Sequence, residues 1–83
     1  MGMLHIIRRS NDPLALEAAG RSGRDGAVLL VQDGVRAAVP GTAGTIYAAA
    51  DDLEARGVRT EYPSVTAAQM SELILQHERV VVW

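Results

Sequence analysis

Histidines are the residues most often used as general bases and metal ligands, and this chain has two. His5 lies in an apolar segment, and His77 stands beside Glu78 with no second histidine or cysteine at a metal-binding spacing. A lone histidine in an apolar strand is usually packed and hydrogen-bonded, whereas one at the end of a helix interacts favourably with the helix dipole. His77 and Glu78 could form a general-base pair, but the sequence favours these structural roles for both histidines.

Carboxylates are the second group with chemical potential, and Asp33, Asp51 and Asp52 supply them. Adjacent residues of a helix point about 100° apart, so Asp51 and Asp52 are poorly placed to share one ion. A phosphoacceptor site of the receiver type needs acids after the first strand and a lysine later in the chain. Arg8 and Arg9 occupy that first position, and the chain contains no lysine. We therefore predict neither a metal centre nor a phosphoacceptor here.

The glycine-rich segment 20–26 resembles a phosphate-binding loop in composition but not in context. A phosphate loop leaves a strand and opens a helix, whereas this segment is predicted to close a helix and open a strand. The serines lack the strand–turn–helix setting of an activated nucleophile, and the chain has no cysteine. Thiolate chemistry is therefore excluded, and we expect no catalytic residue, metal or cofactor in this chain.

The composition predicts one small domain spanning residues 1–83. Its 48% apolar residues exceed what so small a core needs, which favours association, although abundant alanine is an alternative explanation. A net charge of −2, with arginines and acids spread along the chain, argues against a nucleic-acid interface. No segment resembles a signal peptide or reaches the roughly 20 apolar residues of a membrane span, so we expect a cytoplasmic protein without membrane contact.

The segment Ala27–Val31 is the strongest structural signal in the chain. Its unbroken apolar run predicts a strand that is covered on both faces, as in a parallel sheet. The turn Gln32-Asp33-Gly34 follows at the carboxyl end of this strand, where open α/β sheets usually place their functional surface. The β-branched run at 79–83 is predicted to pair with a sheet edge or a neighbouring chain. Further strands are predicted over 3–7 and 45–48, a weak extended segment over 58–63, helices over 13–20, 49–56 and 66–77, and one helical turn over 35–39.

Capping signals locate the ends of these helices. Asp12 and Pro13 form a start signal, Gly57 is a suitable stop, and Thr66 with Gln69 matches a capping box. Strands alternate with short helices along the chain. This alternation predicts an α/β fold with a small, mainly parallel sheet and helices on both faces.

Four parts of the chain together carry a family pattern: Met3–Ile6 with Arg9-Ser10, Leu29–Ala38, Tyr47–Gly57 and His77–Trp83. In combination they resemble the TusB/DsrH family of sulfur-relay subunits. They follow the order of the family pattern at plausible spacing and cover nearly the whole chain. The chain is shorter than that pattern between Val39 and Thr45 and between Val58 and Ser64.

The resemblance implies a DsrE/F/H-like three-layer α/β sandwich and assembly with TusC/DsrF-like and TusD/DsrE-like subunits into a heterohexamer. Such complexes pass persulfide sulfur toward 2-thiolation of the wobble uridine of tRNA, or act in dissimilatory sulfur oxidation. Some DsrH-type members carry a cysteine at the position of Ala19. Because a thiolate must accept the sulfur, a chain without cysteine cannot carry it. The resemblance therefore implies a non-catalytic accessory subunit of the TusB type.

The turn after the central strand is then expected to contact a partner subunit. Asp33 is expected to cap the turn, and Gly34 to permit a close backbone approach. On its own, the chain is expected to self-associate. The alternative function is a stand-alone module that uses this turn and the loop Gly41–Gly44 to bind a small ligand. The candidate contact residues are Gln32, Asp33, Gly34, Val35 and Trp83.

Overall fold

A computed structural model describes residues 2–83 of the chain. Five strands form one sheet, and three α-helices and two short 3-10 helices connect them. The strands are β1 (Met3–Ile7), β2 (Ala27–Leu30), β3 (Thr45–Ala49), β4 (Ser64–Val65) and β5 (Arg79–Val82). The α-helices are α1 (Pro13–Ser22), α2 (Ala50–Arg56) and α3 (Ala67–Gln76), and the 3-10 helices are Gly23–Asp25 and Gln32–Arg36.

All strand pairs of the sheet are parallel, in the order β4-β3-β2-β1-β5. From β1 to β4 the chain moves steadily toward one edge, and then α3 carries it back to the other edge. A chain that reverses direction across a parallel sheet must change face if its crossovers keep the same hand. The structure therefore confirms an α/β fold with a parallel sheet and helices on both faces, as the alternation of elements predicts.

One face of the sheet, here called the helix-rich face, packs against α1, the second 3-10 helix and α2. Strand residues Ile7, Val28 and Leu30 meet Ala15 and Ala19 of α1 in one buried cluster. The small alanine side chains let the helix backbone approach the sheet closely. This face therefore holds the larger part of the core.

The opposite face is covered by α3 alone, and it is here called the half-covered face. The helix buries Leu73 and partly buries Met70 against Leu4 and Leu29 of the sheet. Near the β5 edge, Val82 is 59% exposed, so none of residues 2–83 covers this end of the face. The strand residues of the half-covered face include Leu4, Ile6, Leu29, Tyr47, Val65, Val80 and Val82.

The ends of α1 confirm one prediction and correct another. Asp12 caps the helix by accepting a hydrogen bond from the backbone N–H of Ala15, and Pro13 is its first residue, as predicted. The predicted stop at Gly20 is wrong, because the helix continues through it to Ser22 and ends at Gly23 with a φ of 58°. Gly20 faces Pro40 and Thr42 across a narrow gap, which explains a glycine inside the helix.

The region after β2 is helical earlier than the sequence predicts. The helical turn expected over 35–39 is wrong in position, because the 3-10 helix spans Gln32–Arg36. Gln32 adopts a φ of 52°, and the backbone N–H of Ala37 closes the helix on the carbonyl of Gly34 at 2.9 Å. The weak extended segment predicted over 58–63 is also wrong, since β4 is limited to Ser64–Val65.

The last two helices end and begin where the sequence predicts. Gly57 terminates α2 in the left-handed conformation with a φ of 61°. Thr66 opens α3 with a complete capping box. The Thr66 hydroxyl accepts a hydrogen bond from the backbone N–H of Gln69, and the amide oxygen of the Gln69 side chain accepts one from the backbone N–H of Thr66. Within residues 2–83, no helix has the length and apolarity needed to cross a membrane.

The capping box gives a direct test of this helix start. We expect Thr66→Ala to lower the free energy of unfolding by about 1 kcal/mol, because one backbone N–H of α3 loses its acceptor. For a domain of this size, that change lowers Tm by roughly 4–8 °C in thermal unfolding. Thr66→Ser keeps the hydroxyl and should retain most of the stability. Equal losses in both variants would contradict a capping role.

Candidate functional site

The carboxyl edge of the sheet is organised around the backbone that follows β1 and β2. The N–H of Gly34 lies 3.1 Å from the carbonyl oxygen of Arg8 and 2.9 Å from that of Val31. A Cβ built on Gly34 would lie 2.8 Å from the carbonyl carbon of Ile7 and closer still to its oxygen. The prediction that Gly34 permits a close backbone approach is therefore confirmed, and the approach is to the end of β1.

The predicted contact residues differ in what they can present to a partner. Within the 3-10 helix, Gln32 and Asp33 are exposed, whereas Gly34 and Val35 are buried. Trp83 is half-buried and packs against the core of the helix-rich face. That these residues contact a partner stays a prediction, and at the turn it is Gln32 and Asp33 that offer exposed side chains.

Asp33 does not cap the turn, and the prediction that it does is wrong. Its carboxylate instead accepts a hydrogen bond from Nε of Arg56 at 2.9 Å, while Nη1 of Arg56 donates to Asp52 at 3.1 Å. The hydrogen bond from Arg56, together with its positive charge, lowers the pKa of Asp33. The same bond to Asp33 raises the pKa of Arg56. Arg56 therefore forms two salt bridges, and the one to Asp33 joins the 3-10 helix to the last turn of α2.

A buried polar chain lies beneath the carboxyl edge, on the helix-rich face. Trp83 donates from Nε1 to Nδ1 of His5 at 3.2 Å, and the two rings are stacked with centroids 6.1 Å apart. On its other side, Nε2 of His5 lies 2.7 Å from the Ser22 hydroxyl, which donates to the carbonyl of Ala18. His5 is 2% exposed, and burial lowers its pKa. The prediction of a packed, hydrogen-bonded histidine is confirmed.

The Ser22–His5 contact has the distance of a nucleophile and its base, but its proton arrangement is the wrong one. In a catalytic triad, Nδ1 of the histidine donates to a carboxylate, which leaves Nε2 free to accept the serine proton. Here Nδ1 accepts from Trp83, so in the neutral ring Nε2 carries the proton and donates to Ser22. An Nε2 that already holds a proton cannot take another from Ser22. No sequence pattern predicts this contact, because 17 residues separate the two side chains.

The other residues considered for catalysis, phosphate binding or metal binding do not come together in one site. His77 closes α3, with Nδ1 2.7 Å from the carbonyl oxygen of Leu73, as expected of a histidine at a helix end. Segment 20–26 forms the end of α1 and a 3-10 helix leading into β2, which confirms that it is a connector. No group of three or more potential metal-ligating side chains occurs in the part of the chain that the structure describes.

Two segments proposed to form one ligand site lie at opposite ends of the sheet. The 3-10 helix Gln32–Arg36 follows the carboxyl end of β2. The loop Gly41–Gly44 leads into the amino end of β3, where Gly44 lies against the backbone of Gly26. The two segments therefore do not meet in one site, and ligand binding by either of them stays a prediction.

A cleft of about 500 Å³ opens beside the 3-10 helix instead. Val35 and Ala37 are buried at its base, and Val58 and Tyr62 pack on the same cluster of the core. No sequence pattern indicates this cleft, because its two walls are separated by the whole of β3 and α2. The lining residues are Val35, Arg36, Ala37, Val58, Arg59, Thr60, Glu61 and Tyr62.

The fold is that of a small α/β protein with an open sheet of five parallel strands. Helices pack on both faces of this sheet. A solved structure with this architecture is protein Tm0979 from Thermotoga maritima, determined by solution NMR. The two superpose with a TM-score of 0.71 at 22% sequence identity, over 92% of this chain and 94% of that one. No family model and no curated protein matches the sequence. The likeness to Tm0979 shows the fold.

Proposed function

We propose that this protein is a non-catalytic subunit of a cytoplasmic persulfide-relay complex that serves 2-thiolation of the wobble uridine in tRNA. The sequence resemblance to the TusB/DsrH family supports this role, and a fold with a parallel sheet covered on both faces is compatible with it. The observation that carries the proposal is the half-covered face in a chain without cysteine. Such a chain has surface for a partner but no atom to carry sulfur.

The absence of a thiol fixes what the subunit can do in the relay. Persulfide transfer occurs when a thiolate attacks the terminal sulfur of a donor persulfide, forming a new persulfide and releasing the donor thiolate. The position that bears a cysteine in some DsrH-type proteins is Ala19, which is buried against the sheet within α1. The reacting thiolate must therefore belong to a partner, and this subunit acts by supporting and enclosing that partner.

The exposed end of the half-covered face is suited to such a partner. Val80 and Val82 pair in register with Leu4 and Ile6, so their side chains project from the same side of the sheet as this buried row. Val80 is 37% exposed and Val82 is 59% exposed. Exposed apolar side chains that neighbour each other on one face of an edge strand are typical of an association surface.

A partner subunit of the same small α/β class is the occupant we propose. Its own apolar sheet face or last helix would bury this surface, and the free edge of β5 would lie within the assembly. An exposed β-branched edge strand with no proline or lysine is otherwise a liability for uncontrolled pairing. The same surface accounts for the self-association expected of the chain alone.

Charge substitution on this surface tests the association. We expect Val82→Glu to weaken binding to co-expressed homologous small subunits, one of them cysteine-bearing, by at least about tenfold, because an unpaired carboxylate would be buried. Light scattering after gel filtration and isothermal titration measure the effect. Leu14→Glu is the matched control, since Leu14 is 70% exposed on α1, a helix of the other face. Equal losses in both variants, or none in either, would contradict the assigned surface.

The sulfur-transfer role needs its own experiment. The purified cysteine-bearing partner is loaded from a persulfide donor with and without this protein, and the gain of one sulfur atom is followed by mass spectrometry. Faster loading or slower loss of the persulfide in the complex supports the accessory role. In the source organism, deletion of the gene should lower 2-thiouridine in tRNA. Unchanged tRNA with impaired growth on reduced sulfur compounds would instead assign the subunit to dissimilatory sulfur oxidation.

A further inference from the structure

The cleft between the second 3-10 helix and the segment that follows α2 combines an apolar base with cationic walls. Val35 and Ala37 form the base, and Tyr62 adds a half-buried aromatic ring. Arg36 and Arg59 line it from opposite walls, and both are exposed. Small-molecule sites likewise combine apolar surface with a few polar groups that orient the ligand.

The charge of the cleft is opposite to that of the protein. The whole chain carries a net charge of −2, whereas the cleft lining contains two arginines and one acid, Glu61. Within residues 2–83, neither Arg36 nor Arg59 takes part in an ion pair. The only hydrogen bond from the Arg36 side chain is a long one of 3.4 Å, from Nη2 to the carbonyl oxygen of Arg56. Both guanidinium groups therefore keep donors available for an anion.

The walls of the cleft are held in place before any ligand arrives. One wall is the 3-10 helix that contains Asp33, and the other wall is the segment that follows α2. Arg56, at the end of α2, donates hydrogen bonds to Asp33 and to Asp52 and so links the two walls. These two salt bridges also occupy the guanidinium of Arg56, so the charge of Arg56 is compensated outside the cleft. A site whose walls are already fixed loses less free energy in ordering them when a ligand binds.

We infer that this cleft binds a small organic oxyanion, a phosphate or a carboxylate attached to a compact apolar body. Arg36 and Arg59 hold the oxyanion by charge-assisted hydrogen bonds, and Val35, Val58 and Tyr62 cover the apolar body. Glu61 limits the net positive charge, and so favours a ligand of low charge over a polyanion. This binding site is separate from the half-covered face and does not depend on the proposed relay function.

The ligand probes are chosen to separate the two parts of the site. Phenyl phosphate and benzoate carry both an oxyanion and a ring, inorganic phosphate carries the anion alone, and benzylamine carries the ring with the opposite charge. Binding is followed by NMR chemical-shift titration of the full chain. We expect saturable shifts at the cleft with phenyl phosphate or benzoate, weaker binding of inorganic phosphate, and none of benzylamine. The stronger of the first two probes identifies the oxyanion.

Three substitutions complete the test. Arg36→Gln and Arg59→Gln should each weaken binding of the stronger probe roughly tenfold, the loss expected for one charge-assisted hydrogen bond. Glu61→Gln should strengthen it, a gain that misfolding cannot produce. Arg24→Gln is the control, because Arg24 is exposed in the other 3-10 helix. No saturable binding of either ring oxyanion, or equal weakening by Arg24→Gln, would overturn the inference.

Discussion

Replacement of Gly34 by alanine should destabilise the protein by about 3 kcal/mol, at the upper end of what an added methyl group costs in a packed interior. The new Cβ would lie 2.8 Å from the carbonyl carbon of Ile7 and would overlap its oxygen. The obstacle is backbone, so no side chain can rotate away to make room. Separation of the 3-10 helix from β1 would also weaken the hydrogen bond between the N–H of Gly34 and the carbonyl of Arg8.

Thermal and denaturant unfolding measure this loss. For a domain of this size, about 3 kcal/mol corresponds to a fall in Tm of roughly 12–24 °C. Gly41→Ala is the matched control, because a Cβ at Gly41 meets no atom within 4 Å. If Gly34→Ala is insoluble while Gly41→Ala folds normally, the steric explanation is supported as well. A Gly34→Ala variant that melts within a few degrees of the parent protein would refute it.

Much of the fold follows from the sequence because local signals agree with tertiary packing. The unbroken apolar run of β2 predicts a buried central strand, and all four of its residues are buried. The caps of α1 and α3 are predicted from residue type alone, since Asp12 and Thr66 satisfy backbone groups within three residues of themselves. Short-range hydrogen bonds of this kind depend little on the rest of the chain.

Two of the wrong predictions, those for Gly20 and Asp33, share one physical cause, which is contact between residues distant in sequence. Gly20 is an ordinary helix stop by propensity, yet packing against Pro40 and Thr42 retains it inside α1. Asp33 is a typical turn cap, but its carboxylate instead accepts a hydrogen bond from Arg56, 23 residues later in the chain. The cleft was missed for the same reason. Single-sequence patterns locate elements well and locate the meeting of distant side chains poorly.

The distribution of charged and exposed apolar side chains distinguishes two regions of this molecule. The carboxyl edge and the cleft on the helix-rich face carry Arg36, Arg56 and Arg59 with neighbouring acids, whereas the half-covered face carries exposed aliphatic side chains near β5. A polar surface suits a small anion, and an aliphatic surface suits another folded protein. The two proposals therefore use different faces, and substitutions in one region should leave the other unaffected.

The contact between His5 and Trp83 should make the stability of the protein depend on pH. Burial lowers the pKa of His5 in the folded state, and Nδ1 is occupied by the hydrogen bond from Trp83. A proton on Nδ1 would turn two N–H groups toward each other. Below about pH 6.5, the unfolded chain binds a proton at His5 that the folded chain resists, so the free energy of unfolding falls as pH falls. Above that pH, the full contribution of the contact is present.

Substitution of His5 isolates this effect. At pH 8, His5→Leu should lower the free energy of unfolding by about 1–3 kcal/mol, because the partly buried N–H of Trp83 loses its acceptor. The variant should also lose the fall in stability between pH 6.5 and 5.5 that involves His5. Denaturant unfolding at each pH, followed by fluorescence of Trp83, the single tryptophan of the chain, gives both quantities.

The second histidine supplies the control for the same experiment. His77→Gln changes a residue at the end of α3, on the half-covered side of the sheet, and leaves the His5–Trp83 contact intact. It should therefore retain the pH dependence that His5→Leu loses. If His5→Leu keeps the slope of the parent protein, or if His77→Gln abolishes it, the assignment to His5 is wrong. If the free energy of unfolding of the parent protein does not change with pH, the folded protein accommodates the proton on His5. The hydrogen bonds among Ser22, His5 and Trp83 must then open without weakening the core around them.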